Sequence, residues 1–572
     1  MSNKIVSGIR VLKKYGLISA KRKWDNKKFH RPVPLDIIKK IHMVEECELN
    51  EQRKRQFSKN IKFSIITPLY NTPSDFLMEL LESMKEQTYV NWELCLADGS
   101  DEKHQYVGEI CLEYAKKDPR VIYKILDQNK GISENTNECI KIATGDYYGL
   151  LDHDDLLHPS ALYEVMNVIE EEKADFIYTD EVKFSGKVED INNPLAFNLK
   201  PGFGIDDLRS HNYICHFTVF NKELLNSEDE FYRKEFDGSQ DHDMVLRLTE
   251  KAKKIVHVPK VLYYWRVHSQ SVSMDLGTKM YAVDAAINAV GEQLKRSGEL
   301  GTVVSNLPFQ TIYRVRYNIN SGILVSIVLT GCRETEKNIS SILEKTQYRP
   351  LEIVYDSKDI INIDRNENVI ITHVEENGQK TYAEKCNIMV EHTKGEYIVI
   401  LDSECIPENK DWIEELLMHA QRNNVCAVSP LIYYADNTVC YAGISLNKHK
   451  RNDLVYLCSH DARGEIGYEG LLCHVRNTTS ASKMCMMIKK DIWNELGGFS
   501  DQVEGYEDVD FCLKGIEAGK RNIWTCFSEL TMKKKNIKEQ TYEEREHFEE
   551  KWSQMFDKEK YYHPYWEILR LV

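Results

Sequence analysis

The chain contains no uninterrupted apolar run of about 18 residues, the length that a membrane-spanning helix needs. Residues 1–10 lack the apolar core of a secretory signal peptide. The 15 cysteines show neither metal-ligand spacing nor a paired framework, which favours reduced, buried thiols. Together these absences predict a cytoplasmic protein that is soluble or bound peripherally to the inner face of the cell membrane.

The chain also lacks a positive net charge. Its formal net charge of -15 at pH 7 argues against general nucleic-acid binding. Residues 1–60 nevertheless hold 16 Lys and Arg against 6 Asp and Glu, so this segment is basic while the remainder is strongly acidic. A basic arm can dock on the anionic headgroups of a membrane. No clean apolar stripe accompanies these charges, and a solvated helical face or tail is the alternative.

The 572 residues, with 42% hydrophobic and 29% charged residues, are sufficient for two large globular domains. Two similar blocks open with the apolar runs at 63–70 and 323–330. A helical pattern follows each run, and a second apolar run then ends at Asp98 or Asp356. Strand, helix and strand in this order are typical of a parallel sheet.

An internal repeat connects the two blocks. Residues 144–152 and 394–402 lie 250 positions apart, and their Gly, Tyr, Leu and final Asp coincide. Later in each block, Asp241 and Asp508 come at the start of a similar helical pattern. We therefore predict an α/β protein with two tandem domains at 61–300 and 321–535, each built on a mixed, mostly parallel sheet. A basic helical arm (1–60), a linker (301–320) and a helical tail (536–572) complete the prediction.

Three carboxylates follow the predicted strand at 147–151, namely Asp152, Asp154 and Asp155. Ligands of open α/β sheets bind at the carboxyl ends of the strands, and acidic oxygens there suit a hard divalent cation such as Mg²⁺ or Mn²⁺. The alternative is a solvated acidic loop that caps the next helix.

Two further clusters contain candidate catalytic groups. In the segment 238–243, we expect one of Asp241 and Asp243 to be a helix N-cap and the other to serve as a general base. In the segment 263–268, Arg266 is a candidate partner for a phosphate. His268 is also a candidate site residue, and the alternative for it is a purely structural role.

As an ordered set, six segments resemble the motifs of family 2 inverting glycosyltransferases with the GT-A fold. The segments are Thr67-Pro-Leu-Tyr-Asn71, Asp98-Gly-Ser100, Asn129-Lys-Gly-Ile-Ser133, Leu151-Asp-His-Asp-Asp155, Gly238-Ser-Gln-Asp241 and Trp265-Arg-Val-His268. The resemblance covers nearly all of the first domain. The Gly-Ser-Gln-Asp and Trp-Arg-x-His forms are similar to those of bacterial multidomain enzymes for O-antigen, capsule or rhamnose-rich polysaccharides.

The resemblance implies a role for each matching residue. Asp241 would be the catalytic base, with Asp508 as its counterpart, although Gln240 stands where the family more often has Glu. The residues implied in donor binding are Thr67, Pro68, Tyr70, Asp98, Gly131, Asp152, Arg266, Asp356 and Asp402. Those implied in binding Mg²⁺ or Mn²⁺ are Asp152, Asp154, Asp155, His268, Asp402 and Glu404.

The implied reaction moves a sugar from a nucleoside diphosphate to a hydroxyl of a growing cell-surface polysaccharide attached to a lipid. The resemblance favours a deoxysugar such as rhamnose as the donor sugar. The second domain lacks the Thr-Pro-x-Tyr-Asn and Trp-Arg-x-His segments. It is either a second transferase or a non-catalytic scaffold that binds nucleotide or glycan. A nucleotidyltransferase is disfavoured, because residues 63–75 contain no glycine for a phosphate-binding loop.

Overall fold

The computed structural model describes residues 12, 35–268, 280–306, 309–331, 335–357, 368–375, 380–448, 453–533, 540–569 and 571. Most of the predicted basic arm, residues 1–11 and 13–34, therefore lies outside the described residues. The rest of the arm contains helices α1 (Leu35–His42) and α2 (Glu46–Lys54). Both lie on the first domain, since Tyr264 donates a hydrogen bond to the His42 carbonyl at 3.1 Å and Thr88 donates one to Gln52 at 2.8 Å.

The first domain alternates strands and helices in the order that the sequence predicts. Its elements are β1 (Phe63–Leu69), α3 (Ser74–Lys85), β2 (Trp92–Asp98), α4 (Tyr106–Lys117), β3 (Val121–Ile125), α5 (Ile132–Ile142), β4 (Tyr147–Leu150), β5 (Leu156–Leu157), α6 (Ala161–Glu172), β6 (Phe176–Phe184), β7 (Ala196–Asn198), α7 (Ile205–Ser210), β8 (Thr218–Asn221), α8 (Gln240–Lys251), β9 (Ile255–Arg266) and α9 (Met280–Arg296).

These strands form one mixed sheet in the order β3-β2-β1-β4-β8-β6-β9-β5, with β7 added on β6. Strands β3, β2, β1 and β4 are parallel, whereas β8 runs antiparallel to both β4 and β6. Every residue of β1 and β2 is buried, as expected for strands covered on both faces. The carboxyl ends of β1, β2 and β4 therefore meet at one edge of the sheet.

Residues 301–317, which the sequence assigns to a linker, form an antiparallel hairpin of β10 (Gly301–Asn306) and β11 (Phe309–Tyr317). In β11, Tyr313, Val315 and Tyr317 are buried at alternate positions. This period of two is the signal of a half-buried strand, and it is visible in the sequence.

The second domain repeats the main strand order of the first and adds further strands. Its elements are β12 (Val325–Thr330), α10 (Thr335–Lys345), β13 (Leu351–Ser357), β14 (Val369–Glu375), α11 (Tyr382–Glu391), β15 (Tyr397–Asp402), β16 (Cys405–Pro407), α12 (Trp412–Ala420), β17 (Val425–Tyr434), β18 (Val439–Tyr441), β19 (Ile444–Leu446), β20 (Leu454–Tyr456), β21 (Arg476–Thr478), β22 (Cys485–Lys489), α13 (Lys490–Leu496), α14 (Glu507–Glu517) and β23 (Arg521–Met532), and α15 (Tyr542–Asp557) follows. The sheet order is β14-β13-β12-β15-β22-β17-β23-β16.

The repeat extends to buried polar contacts. Asn137 exchanges two hydrogen bonds with the Tyr232 backbone, at 2.8 and 2.9 Å. Asn387, 250 residues later, does the same with the Phe499 backbone, at 2.9 and 3.0 Å. The predicted pair of tandem α/β domains is confirmed.

The two domains are joined by a buried ionic contact and by the tail. Asp206 of α7 accepts hydrogen bonds from Arg422 at 2.5 Å and from Arg521 at 3.0 Å. After α15 the chain continues in turns rather than as a helix. There His563 contacts Asp180 of the first domain at 2.7 Å, while Glu559 accepts the Leu446 N–H of the second at 2.7 Å.

Within the described ranges, no helix combines the length and the apolar character needed to cross a bilayer. The cysteines of those ranges are free, and most are buried, as the sequence predicts.

Candidate active site

The acidic loop after β4 is anchored by its last aspartate. Asp155 is buried and accepts the Tyr263 hydroxyl at 2.6 Å and the Arg266 backbone N–H at 2.7 Å. Burial, with the neighbouring charges of Asp154 and Asp152, raises the pKa of Asp155 well above its ordinary value. Asp155 therefore ties the loop to β9, and both of its oxygens already accept a hydrogen bond.

The other two aspartates of the loop are more accessible, and each faces a histidine. The Asp154 carboxylate lies 2.7 Å from Nε2 of His268, which follows β9. The Asp152 side chain is 53% exposed and lies 3.4 Å from Nε2 of His216. The structure thus brings together Asp154 and His268, two predicted metal ligands that are far apart in sequence.

His216 was missed by the sequence analysis. Its Nδ1 lies 3.3 Å from Glu181, a fully buried carboxylate on β6. Glu181 also accepts hydrogen bonds from the Lys200 ammonium at 3.1 Å and from Asn198 at 2.8 Å. The His216 ring stacks on Tyr263, with ring centres 4.8 Å apart.

The charges of this cluster stabilise one another. Burial alone would raise the pKa of Glu181, but Lys200 and His216 lower it to about 2. Burial would lower the pKa of His216, whereas Cys215, Asp152 and Glu181 together raise it well above the ordinary value. Asp152 is half exposed, and the contact with His216 lowers its pKa.

The residues of the loop fit a divalent cation. Ligand atoms of Asp152, Asp155 and His216 lie within 4.8 Å of one another, although both oxygens of Asp155 already accept hydrogen bonds. Carboxylate oxygens with an imidazole nitrogen form a donor set that accepts Mn²⁺ and, with more oxygen ligands, Mg²⁺.

A second group of this kind does not fit a metal. Asp180, His257 and His563 are close together, with His563 Nε2 2.7 Å from Asp180. The other ring nitrogen of His563 accepts the Tyr565 backbone N–H at 3.1 Å. Nε2 must therefore carry the proton and donate it to Asp180, so it has no lone pair for a cation.

Asp241, the predicted base, lies in the first turn of α8. Its carboxylate is hydrogen-bonded to the side chains of Gln240, at 2.8 Å, and Tyr232. Burial and the nearby charge of Asp152 raise its pKa above the ordinary value. The structure thus places Asp241 close to Asp152, the first residue of the acidic loop.

The expected N-cap role of Asp241 or Asp243 is wrong. The residue at the cap position of α8 is Ser239. Asp243 is instead fully buried and paired with Arg233 and Arg247. A buried aspartate needs such cationic partners, and two arginines supply them.

Tyr70 and Asp98, two of the residues implied in donor binding, lie at the edge formed by β1 and β2. The register pairs Leu69 with Asp98, which brings Asp98 next to Tyr70, a residue with 45% of its surface exposed. Asp98 accepts the Tyr123 hydroxyl at 2.8 Å and the Ser100 N–H at 2.9 Å.

Two other predicted donor-binding positions, Thr67 and Pro68, are buried within β1. The Thr67 hydroxyl has no hydrogen-bond partner among the described residues. Gly131 precedes α5 with a φ of 98°, a left-handed conformation that favours glycine.

Arg266 does not present a free guanidinium to a phosphate, contrary to the prediction. It is fully buried, 2.5 Å from Glu79, and it donates to the Asp154 carbonyl at 2.8 Å and to the Gly186 carbonyl. The side chain therefore supports the backbone of the acidic loop. The guanidinium group, which suggested a phosphate contact, does not by itself reveal these partners.

In the second domain, the acidic pair after β15 is retained. The Glu404 backbone N–H donates to Asp402 at 2.9 Å. Asp356, at the end of β13, lies 3.8 Å from the Lys385 ammonium. The described residues of this domain include no acidic and histidine group of the kind formed by Asp152, Asp155 and His216.

The strand registers show which residue of the second domain occupies the position of His216. Tyr147 pairs with Asn221 in the first domain, as Tyr397 pairs with Lys489 in the second. His216 lies five residues before Asn221, and the position five residues before Lys489 is Met484. By the same count, Lys483 corresponds to Cys215.

The second candidate base, Asp508, has a different environment from Asp241. Its carboxylate accepts the backbone N–H groups of Lys483 at 2.7 Å and Val509 at 3.0 Å. The Lys483 ammonium pairs with the neighbouring Glu507. Burial raises the pKa of Asp508, and the positive charge of Lys483 opposes this rise.

Comparisons with known proteins identify related sequences. The model of glycosyl transferase family 2 matches residues 64–227 and 348–467. An uncharacterised protein of Sinorhizobium fredii is 32% identical over 82% of this chain and 52% of its own length. The O-antigen biosynthesis protein RfbC of Myxococcus xanthus is 28% identical over 83% of this chain and 37% of its own length.

The chain thus spans about half or less of the length of these relatives. Among solved structures, TarS of S. aureus (residues 1–349) in complex with UDP-GlcNAc has 17% sequence identity and a TM-score of 0.34, over 41% of this chain and 66% of that one. From the family match, the shared relatives and the repeated sheet, we conclude that the chain belongs to glycosyl transferase family 2.

Proposed function

We propose that the first domain transfers a sugar, with inversion, from a nucleoside diphosphate sugar to a hydroxyl of a growing cell-surface polysaccharide. The observation that supports this most strongly is the position of Asp241. Among the described residues, its carboxylate has side-chain hydrogen-bond partners and no backbone partner, and it lies close to Asp152 of the acidic loop. A base and a site for a diphosphate-bound cation therefore share one region of the domain.

In the proposed reaction, the acceptor oxygen forms a bond to the anomeric carbon while the bond from that carbon to the phosphate oxygen breaks. The nucleoside diphosphate leaves, and Asp241 receives the hydroxyl proton. A divalent cation, when bound, neutralises the charge that grows on the diphosphate. Asp152, Asp154 and His268 would hold it, and Asp155 would keep the loop in place.

A donor screen tests the proposal. Each common nucleotide sugar, dTDP-rhamnose included, is mixed with the protein, Mn²⁺ and a glycan acceptor, and the release of nucleoside diphosphate is recorded. We expect release with one donor, and NMR of the product should show the anomeric configuration opposite to that of the donor. Retention of configuration would contradict the role of Asp241 as a base.

We further propose that the acceptor is linked to a lipid and that the protein works at the cytoplasmic face of the membrane. The basic segment 1–60 supports this, since cationic side chains are attracted to anionic headgroups. Deletion of residues 1–34 should weaken binding to vesicles that contain phosphatidylglycerol, and it should not affect binding to neutral vesicles. Equal binding by the truncated and full chains would contradict the membrane contact.

For the second domain, we propose a non-catalytic role in binding nucleotide or glycan. The Asp508 carboxylate already accepts hydrogen bonds from two backbone N–H groups, and Met484 corresponds in position to His216 of the first domain. The alternative, a second transferase, would require Asp508 to accept a proton in spite of these contacts. Retained binding of nucleotide after the first site is inactivated would support the binding role.

A further inference from the structure

His216 occupies a position that the motifs of the sequence do not indicate. Its side chain is 15% exposed and lies between two carboxylates, with Nε2 3.4 Å from Asp152 and Nδ1 3.3 Å from Glu181. Tyr263 stacks on one face of the ring, and Trp265 lies 5.1 Å away. The ring therefore has little freedom to rotate.

The two carboxylates differ in their access to a ligand. Asp152 is half exposed at the strand tip, whereas Glu181 is fully buried and held by Lys200 and Asn198. When one ring nitrogen of a histidine is held against a buried carboxylate, the other nitrogen points in a fixed direction and can serve as a metal ligand. Metal-binding histidines usually donate their second ring N–H to a carboxylate. Here Nδ1 lies 3.3 Å from Glu181 without hydrogen-bond geometry, and stacking on Tyr263 also holds the ring.

The distance between the Asp152 oxygen and Nε2 of His216 also suits a cation. Two ligands that coordinate one Mn²⁺ at about 2.1 Å and at right angles lie about 3 Å apart. The separation of 3.4 Å between Asp152 and His216 Nε2 is close to that value. The His563–Asp180 pair differs because Nδ1 of His563 accepts the Tyr565 N–H, so Nε2 carries the proton and has no lone pair for a cation.

We propose that His216 releases its Nε2 proton to solvent and coordinates the divalent cation through that nitrogen, together with Asp152, and that Glu181 is the positioning residue that orients its ring. This inference rests on the proposed function. It adds to the predicted ligands the imidazole of His216, which lies in the segment before β8. It also gives a reason for the difference between the domains, because a methionine thioether is a poor ligand for Mg²⁺ or Mn²⁺. Met484 would leave the second domain without this contact.

Titration of the full chain with Mn²⁺, followed by EPR, measures cation binding without any substrate. We expect His216→Gln to weaken binding at least about tenfold, and Glu181→Gln to weaken it about 10-fold to 100-fold. His104→Gln is the matched control, since His104 also pairs with an aspartate, Asp101 at 2.7 Å, but outside the acidic loop. Wild-type affinity in His216→Gln would overturn the inference.

A second readout does not depend on whether the His216 variant folds. In His268→Gln, the other imidazole predicted to bind the cation is absent. Electron spin-echo modulation of bound Mn²⁺ should still show a coordinated imidazole nitrogen, because His216 supplies it. Loss of that signal in His268→Gln would contradict the inference while leaving the metal-dependent proposal in place. A wild-type chain that binds no Mn²⁺ at millimolar concentration would contradict both.

Discussion

The two domains have the same strand order, but they differ where the strands end. In the first, Asp152 and Asp154 each face a histidine, and among the described residues the carboxylate of Asp241 has side-chain hydrogen-bond partners. In the second, Met484 occupies the position of His216, and backbone N–H groups bind Asp508. The two domains thus share the main strand order and differ in the side chains at the strand ends.

The same strand order therefore carries different side chains at the strand ends of the two domains. Contacts away from these ends are shared, since Asn137 and Asn387 make equivalent pairs of backbone hydrogen bonds. Three experiments address the comparison, beginning with the contact that makes the two domains one unit.

Arg422→Met should give the largest effect, because it removes one cation from the buried Asp206 between the domains. Burial would raise the pKa of Asp206, but Arg422, Arg521 and Arg209 keep it far below the usual range. Removing a partner of a buried charge costs about 3 kcal/mol of unfolding free energy. Urea unfolding, followed by tryptophan fluorescence, measures this loss.

The control is Arg296→Met, which breaks the partly exposed pair with Glu250 at 2.7 Å and should cost less than about 1 kcal/mol. Equal losses in the two variants would mean that the Asp206 contact does not hold the domains together.

Cys215→Lys places in the first domain the lysine that the second domain has at the equivalent position. It tests whether that positive charge lowers the rate of transfer. By register, Cys215 corresponds to Lys483, and its Sγ lies 3.6 Å from His216 Nε2. An ammonium group near Asp241 would lower the pKa of the base and weaken its attraction for the hydroxyl proton, so kcat should fall about tenfold. Cys215→Met adds volume without charge and separates the two effects. Full activity in Cys215→Lys would show that the charge difference is unimportant.

Gln240→Glu should give a smaller change, in the pH profile. Asp241 acts as a base when it is deprotonated, so kcat/KM rises as the pH increases through its pKa, which is raised above the ordinary value. A second carboxylate beside it would raise the pKa further and move the acid limb to higher pH by up to about one unit.

The matched control is Glu507→Gln in the second domain, where Glu507 contributes to raising the pKa of Asp508. It should leave the profile unchanged. A shift in this control instead of in Gln240→Glu would assign the chemistry to the second domain.

The sequence predicts the parallel half of each sheet and the repeat, because apolar strands that end in aspartates are local patterns. The proximity of Asp154 and His268 was implied only by the resemblance to family 2 glycosyltransferases, which assigned both to the cation site. The hairpin at 301–317 was detectable from its alternating apolar residues, although the sequence analysis assigned that segment to a linker.

The Glu181–Lys200–His216 cluster was not predictable from any local motif. Its residues come from β6, from the segment after β7 and from the segment before β8, and only antiparallel pairing of β8 brings them together. One signal was present: Asp180 and Glu181 interrupt an apolar strand, and buried charges require partners. The partner of Asp180 in the tail, His563, is 383 residues away and gives no signal in the sequence.

The central claim is that Asp241 performs the transfer and that Asp508 does not. The most direct test compares nucleoside diphosphate release by Asp241→Asn and Asp508→Asn with the active donor and acceptor. The account predicts that kcat falls about 10²-fold to 10⁴-fold in Asp241→Asn and changes less than about twofold in Asp508→Asn. A full loss in Asp508→Asn with activity retained in Asp241→Asn would contradict it.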